Sequence, residues 1–266
     1  MIFLATDEGL YSFEDRLVKI SESYSLNDGL VIRGKTVLCS QYDGVIVGDK
    51  RVLDESCWRL FVYNNEVLAS IEGPKIFKIV DDKVRLVIDF TSLGRELGWD
   101  FFGRDAHITD LSYFKDSIVA TIEEGSLLVG KSLNSLRPLN FSADSHVLLS
   151  MGEYLLIGTA DGVYYTEDLE RFNKAVNGYV HGIISINNSI VGQIMSETPL
   201  IISYDGKRWS NLGLKLPRPT YGQTCITRMG DKVIYALKSL YEIDLREKYV
   251  RVLVPSIPTV RNVRAF

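Results

Sequence analysis

The chain has 266 residues, 46% apolar and 24% charged, an ordinary balance for a protein with a substantial core, and its net charge of −4 argues against a phosphate-tracking surface over the whole molecule. No apolar run approaches the roughly 18–20 residues that span a bilayer, and the start, MIFLATDEG, lacks a basic n-region, so neither a membrane span nor a signal peptide is expected. Three cysteines (Cys39, Cys57 and Cys225) without a CxxC suit a reducing compartment and a cytoplasmic protein, and the scarcity of Gln, with three, fits a thermophilic source.

Seven apolar strands end at a small residue, turn within a few residues and resume as a second strand, at Ala5, Ser40, Ala69, Ala120, Gly158, Gly192 and Ala236. The intervals are 35, 29, 51, 38, 34 and 44 residues, and 266 residues shared among seven units give 38 each. A period near ~40 residues built of short strands is that of a propeller blade. The expected fold is all-β: a seven-bladed β-propeller of four-stranded antiparallel blades, with residues 1–266 as one domain.

The first unit begins at once with IFLATD, which matches the second strand of the other units. Its missing first strand is expected from TVRNVRAF, residues 259–266, so that the C-terminal strand pairs with the N-terminal one and the ring closes without an exposed edge. In the next two units, Arg33-Gly34-Lys35 and Asn64-Asn65 are turns that tolerate positive φ. VRLVIDF alternates with period two, whereas TVLCS is apolar throughout, as suits an inner strand covered on both faces. The longest departure from the repeat follows: TSLGRELGWDFFGRDA, residues 91–106. It gathers Arg95, Trp99, Phe101, Phe102 and Arg104, the residue types of binding hot spots, in a loop long enough to suggest function. The competing expectation is a plug, with Trp99 and Phe102 packed down over the ring.

The fourth unit is the plainest: ITDLSYF, a turn at Lys115-Asp116, SIVATIE, a turn at Glu124-Gly125, SLLVGKS and LRPLNF. Gly125 to Ser132 matches the phosphate-loop pattern GxxxxGK[ST]. Its Ser-Leu-Leu-Val centre is strand-like, and Pro138 interrupts what should be the following helix, so no nucleotide is expected. In the fifth and sixth units, Thr166-Glu-Asp168-Leu-Glu-Arg-Phe172 and Ser203-Tyr-Asp205-Gly-Lys-Arg-Trp209 share the spacing S/T-x-D-x-x-x-aromatic. This resembles the Asp-box of bacterial-neuraminidase-repeat propellers, the family of sialidases, sortilin-like receptors and photosystem assembly factors. Both copies are one residue shorter than the family's S-x-D-x-G-x-T-W and lack its Thr. The resemblance implies that Asp168, Phe172, Asp205 and Trp209 are structural, stabilising turns between outer strands. It does not extend to sialidase chemistry, because the family's Arg-Ile-Pro is absent and no Tyr–Glu pair is marked by spacing. A smaller departure, GLKLPRPTYGQ at residues 213–223, precedes the seventh unit and offers Arg218 and Tyr221.

Acids recur in the turns between second and third strands: Asp7, Asp43, Glu72, Glu124, Asp161 and Glu197. They are expected on one face, either as an acidic ring that attracts a cation or basic partner, or as simple turn chemistry. His107, His146 and His181 fall near the starts of their units, but no two are spaced as ligands and no cysteine joins them, so no metal and no cofactor is expected. Arg251, Arg261 and Arg264 lie on strands expected to be paired, so nucleic acid is not an expected partner. The functional expectation is a non-catalytic scaffold that binds a protein or peptide through Arg95, Trp99, Phe101, Arg104, Arg218 and Tyr221. The alternative is a hydrolase- or lyase-type enzyme acting on a glycan or small polar substrate, with turn acids as acid/base groups or cation ligands. A deep polar pocket with convergent carboxylates favours the enzyme; a broad apolar patch favours the scaffold.

Overall fold

In the computed structural model, which describes residues 1–266, seven four-stranded antiparallel sheets form a ring. The first strand of each blade packs beside the first strands of its neighbours and is therefore the inner one. These inner strands are Val260–Ala265 for blade one, then Leu26–Ile32, Cys57–Tyr63, Ile108–Phe114, Ser145–Ser150, Val180–Ile186 and Ile226–Met229. The ring closes as expected: Val263 pairs with Leu4 and Ala265 with Ile2. The Phe266 N–H donates to the Met1 carbonyl at 3.1 Å, so no inner edge is left open.

Second strands such as Glu66–Ile71 and Leu155–Thr159 are apolar on both faces because each blade is covered on both sides, whereas outer strands such as Leu17–Glu22 are largely exposed. The core is accordingly divided into seven clusters, one at each blade interface, as with Leu30, Val37 and Val45 against Leu60 and Ala69. The inner strands carry a second device. Asp28 accepts hydrogen bonds from its neighbour Gly29 and from Leu60 N in the next blade, at 2.8 and 2.9 Å. Asp110 does the same with Leu111 and Leu148, both at 2.8 Å. Asp28 also accepts from Asn262 Nδ2 at 2.6 Å and from the Arg264 guanidinium, which ties blade two to the closing strand. Arg264 is thus committed to the fold, and Arg251 pairs with Glu242 at 3.4 Å.

The segment 91–106 folds as the helix Thr91–Leu97 and a hairpin of Asp100–Phe101 with Arg104–Asp105. Gly98 at φ +72° ends the helix, and a Cβ at Gly94 would lie 3.0 Å from the Trp99 ring. Trp99 is only 7% exposed, buried with Ile122, Leu128 and Leu136 between blades three and four. Trp99 is packed down, but between two blades and not over the ring, so it leaves the set of surface candidates without acting as the expected plug. Phe102 does not join it; that ring is 87% exposed.

Two further expectations meet structure here. Cys39 and Cys57 form a disulfide between the second strand of blade two and the first of blade three, correcting the expectation of three reduced thiols; Cys225 is free and buried. The phosphate-loop match is a strand, Ser126–Gly130, paired on both sides, so its amides serve the sheet ladder instead of a phosphate. The two Asp turns share one geometry. Asp205 Oδ1 accepts from Lys207 N and Arg208 N at 2.9 and 2.8 Å, and Asp168 Oδ1 accepts from Glu170 N and Arg171 N, both at 2.9 Å. No helix is long and apolar enough to cross a membrane.

Candidate functional site

Six inner strands carry a β-bulge near their first residue, and the skipped residues are Asn27, Trp58, Thr109, His146, His181 and Arg261. A bulge re-aims a side chain. Here it does so at equivalent positions around the ring, and five of these residues line a central cavity of about 740 Å³. Residues that begin the second turn supply the next tier: Gln41, Glu123, Glu124, Ala160 and Met195. Phe101 and Phe102 of the 91–106 hairpin and Tyr221 and Gly222 of the second loop complete the wall.

Acids and imidazoles gather on the side of blades four to six. His107 Nε2 lies 2.7 Å from Glu123 Oε2, and its ring stacks on Trp58 with centroids 4.1 Å apart. His146 is held at both nitrogens: Nδ1 donates to the Val180 carbonyl at 3.0 Å and Nε2 faces Asp144 Oδ1 at 3.1 Å. Two donors on one ring describe an imidazolium. Burial lowers the His146 pKa, but the hydrogen bond and charge of Asp144 outweigh it and raise the value overall. Burial likewise pushes Asp144 up, and His146 outweighs it, holding the carboxyl below its ordinary range.

The neighbouring His181 behaves oppositely. The Thr224 hydroxyl donates to the His181 carbonyl at 3.2 Å, so His181 Nδ1 must donate to that hydroxyl oxygen at 3.1 Å. Its Nε2 is then a bare acceptor. Burial first, and the nearby charges of His146 and Arg59 next, drive its pKa well down, so this imidazole is neutral. The Glu124 carboxyl is pushed up by burial and by the Asp144 and Glu123 carboxylates.

Two guanidiniums also line the cavity. Arg59 is half-buried, 3.8 Å from Asp28, and donates to Thr224 Oγ1 at 3.2 Å. Arg261 makes no ion pair, and its Nε is buried without a hydrogen-bond partner. The cavity therefore brings carboxylates, imidazoles and guanidiniums together.

The remaining candidates fall as follows. Phe101 and Tyr221 line the cavity mouth. Arg104 pairs with Glu72, its Nε donating to Oε1 at 2.8 Å, and lies over Trp58 at 5.6 Å, so it braces the hairpin. Arg95 pairs bidentately with Asp105 at 2.7 and 3.0 Å. Arg218 lies 3.7 Å from Glu197. The turn acids do not form one uncompensated ring: Asp43 pairs with Arg51, Glu72 with Arg104, Asp161 with Lys174 and Glu197 with Arg218. Asp7 Oδ1 is buried without a partner. Glu124 alone among the six lines the cavity. The three histidines, read from spacing as unrelated, converge at one site. The signal that would have found them is the repeat itself: aligned on their inner strands, His146 and His181 occupy the same column as Asn27, Trp58, Thr109 and Arg261.

No family model matches the sequence, and no curated protein sequence does. Solved structures do match the fold. A putative 6-phosphogluconolactonase from Bacteroides fragilis has a TM-score of 0.61 at 10% identity, covering 99% of this chain and 96% of that one. Virginiamycin B lyase from Staphylococcus aureus has a TM-score of 0.58 at 10% identity, covering 96% and 83%. The computationally designed Ika8 protein has 0.62 at 14%, covering 98% and 86%. At these identities the likeness establishes the propeller fold and nothing about activity.

Proposed function

We propose that the protein binds a small, anionic polar molecule in the central cavity and acts on it by acid–base chemistry, as a hydrolase or lyase. One observation carries this reading: the neutral His181 and the Glu123–Glu124–Asp144 acids face the same cavity as Arg59 and the unpaired Arg261. The guanidiniums would hold a carboxylate or phosphate of the ligand. His181 Nε2, a bare lone pair, is positioned to take a proton, and Glu124 to return one. Trp58 and Phe101 supply an apolar wall and the hairpin a partial cover. That two of the similar folds bear enzyme names agrees with this reading as analogy only.

The test is a thermal-shift screen of small carboxylates, lactones and sugar phosphates, with hits assayed for turnover. Hits should stabilise the wild type and lose that effect in Arg261→Gln. His181→Gln should retain binding and lose turnover. A second reading, a docking face for a peptide, draws on the exposed Tyr24, Tyr42, Phe102 and Tyr221 on the same face. A screen without hits, together with a protein captured by wild type and lost by Phe102→Ala, would replace the first reading with the second.

A further inference from the structure

We propose that Glu123, Asp144 and His146 form a binding site for a divalent first-row transition cation that opens onto the central cavity. One ligand atom from each of the three lies within 4.8 Å of the others, a spacing that modest rotation of the two carboxylates converts into a common coordination shell. The site shares its cavity, and the Glu123 and Asp144 carboxylates, with the proposed function, but it needs neither the arginines nor His181 on which anion binding and proton transfer there depend.

The ligand orientation is already built. His146, 3% exposed, has its Nδ1–H fixed on the Val180 carbonyl, which aims Nε2 at Asp144. Metal-ligating imidazoles are held in this way, with the far nitrogen donating to a backbone carbonyl or carboxylate. A cation would replace the proton that Nε2 now presents to Asp144. Both hydrogen bonds made by Asp144 fall on Oδ1, one from His146 and one from Glu124 N at 3.2 Å. Glu123 is braced in turn by His107 Nε2 at 2.7 Å.

A second observation points to a ligand. His107 is 3% exposed and lines the cavity, yet its Nδ1 is buried without a hydrogen-bond partner. Buried polar atoms are nearly always satisfied, and a water or ligand atom held in the cavity that His107 lines would satisfy this one. The donor set, one imidazole nitrogen and two carboxylates, suits Zn²⁺ or Mn²⁺ better than Ca²⁺, which takes six to eight oxygens. Three protein ligands leave positions open toward the cavity.

The test is titration of EDTA-treated protein with Zn²⁺ by calorimetry and with Mn²⁺ by electron paramagnetic resonance, with no small molecule present. One equivalent should bind per chain, and Ca²⁺ should not displace it. Asp144→Asn and Glu123→Gln should each weaken binding at least about tenfold, as loss of a ligand or its bracing partner does. Glu197→Gln, a turn acid of another blade, should bind as wild type. Should the ligand variants misfold, anomalous diffraction from Zn²⁺-soaked wild-type crystals must place the ion among the three side chains. Absence of stoichiometric binding, unchanged affinity in both folded variants, or an ion located elsewhere would each overturn the proposal. Because the cation is titrated alone, its failure leaves the anion-binding reading standing, and a failed small-molecule screen leaves this one.

Discussion

Asp28 shows how much one buried side chain decides. It is fully buried, and burial alone would raise its pKa, yet the charge and hydrogen bonds of Arg264 outweigh that and hold the carboxyl below its ordinary range. Its folded pKa therefore lies below the unfolded value of about 3.9. The stability it contributes is present above that value and is lost as pH falls through the folded pKa. Asp28→Asn should cost about 3–5 kcal/mol at pH 7, since it strands the Arg264 charge in the channel. The gap to wild type should narrow steadily in acid, and urea melts between neutral and low pH check both points. Trp99 carries the opposite lesson, that a hot-spot residue type is not a surface residue. Trp99→Ala should cost about 3–5 kcal/mol as a buried aromatic, whereas Phe102→Ala should stay within about 0.5 kcal/mol. Denaturant melts of the two variants separate buried from surface. Neither fate was legible in the sequence. Trp99 and Phe102 sit three positions apart in one loop, and the Asp28 partner lies 236 residues away.

Among the elements, the disulfide and the bulges do what strand pattern alone cannot show. Cys39 and Cys57 are separated by 18 residues and join adjacent blades. Closing a loop of that length is worth about 3 kcal/mol in the chain-entropy picture. The double variant Cys39→Ser/Cys57→Ser should lose about that much, and wild type melted in reductant should match it. A double variant as stable as oxidised wild type would show that the link contributes nothing. The turns between outer strands were readable. Asp168 and Asp205 were picked out by spacing, and both carboxylates are held low, chiefly by the backbone N–H groups of Arg171 and Arg208. Blade seven repeats the device without the motif, with Asp244 accepting from Arg246 N and Glu247 N at 2.8 and 3.1 Å. It was missed because no Ser or Thr stands two residues before Asp244. The functional column was missed for a related reason. A bulge shifts the strand's period by one residue, so the side chains it aims at the axis break the alternation from which strands are read.

For the whole molecule, closure is the feature that most depends on a single segment. Residues 259–266 supply the inner strand of blade one, Val260 and Val263 of its cluster with blade seven, and the Asn262 and Arg264 contacts to Asp28. Their deletion should expose an inner edge and an apolar face together, giving aggregation on expression instead of a frayed monomer. Size-exclusion chromatography and a thermal melt decide it. A monomer with unchanged melting temperature would mean that the ring holds without its closing strand.

The amino-acid sequence by itself determined the seven-fold repeat, the four-strand blade, the origin of the closing strand and the structural character of the Asp turns. Each of these is a local property, set by apolar period and turn chemistry within about forty residues. Tertiary structure alone decided that Trp99 is buried, that Cys39 meets Cys57, that four turn acids are neutralised by their own cations, and that His107 and His181 share one cavity with three acids and two arginines, with His146 behind them. The first three depend on how neighbouring strands and blades pack, and the last is radial, arising where residues from blades far apart in sequence meet at the axis. Their spacing along the chain is fixed by blade length, so it carries no trace of the chemistry assembled at the centre.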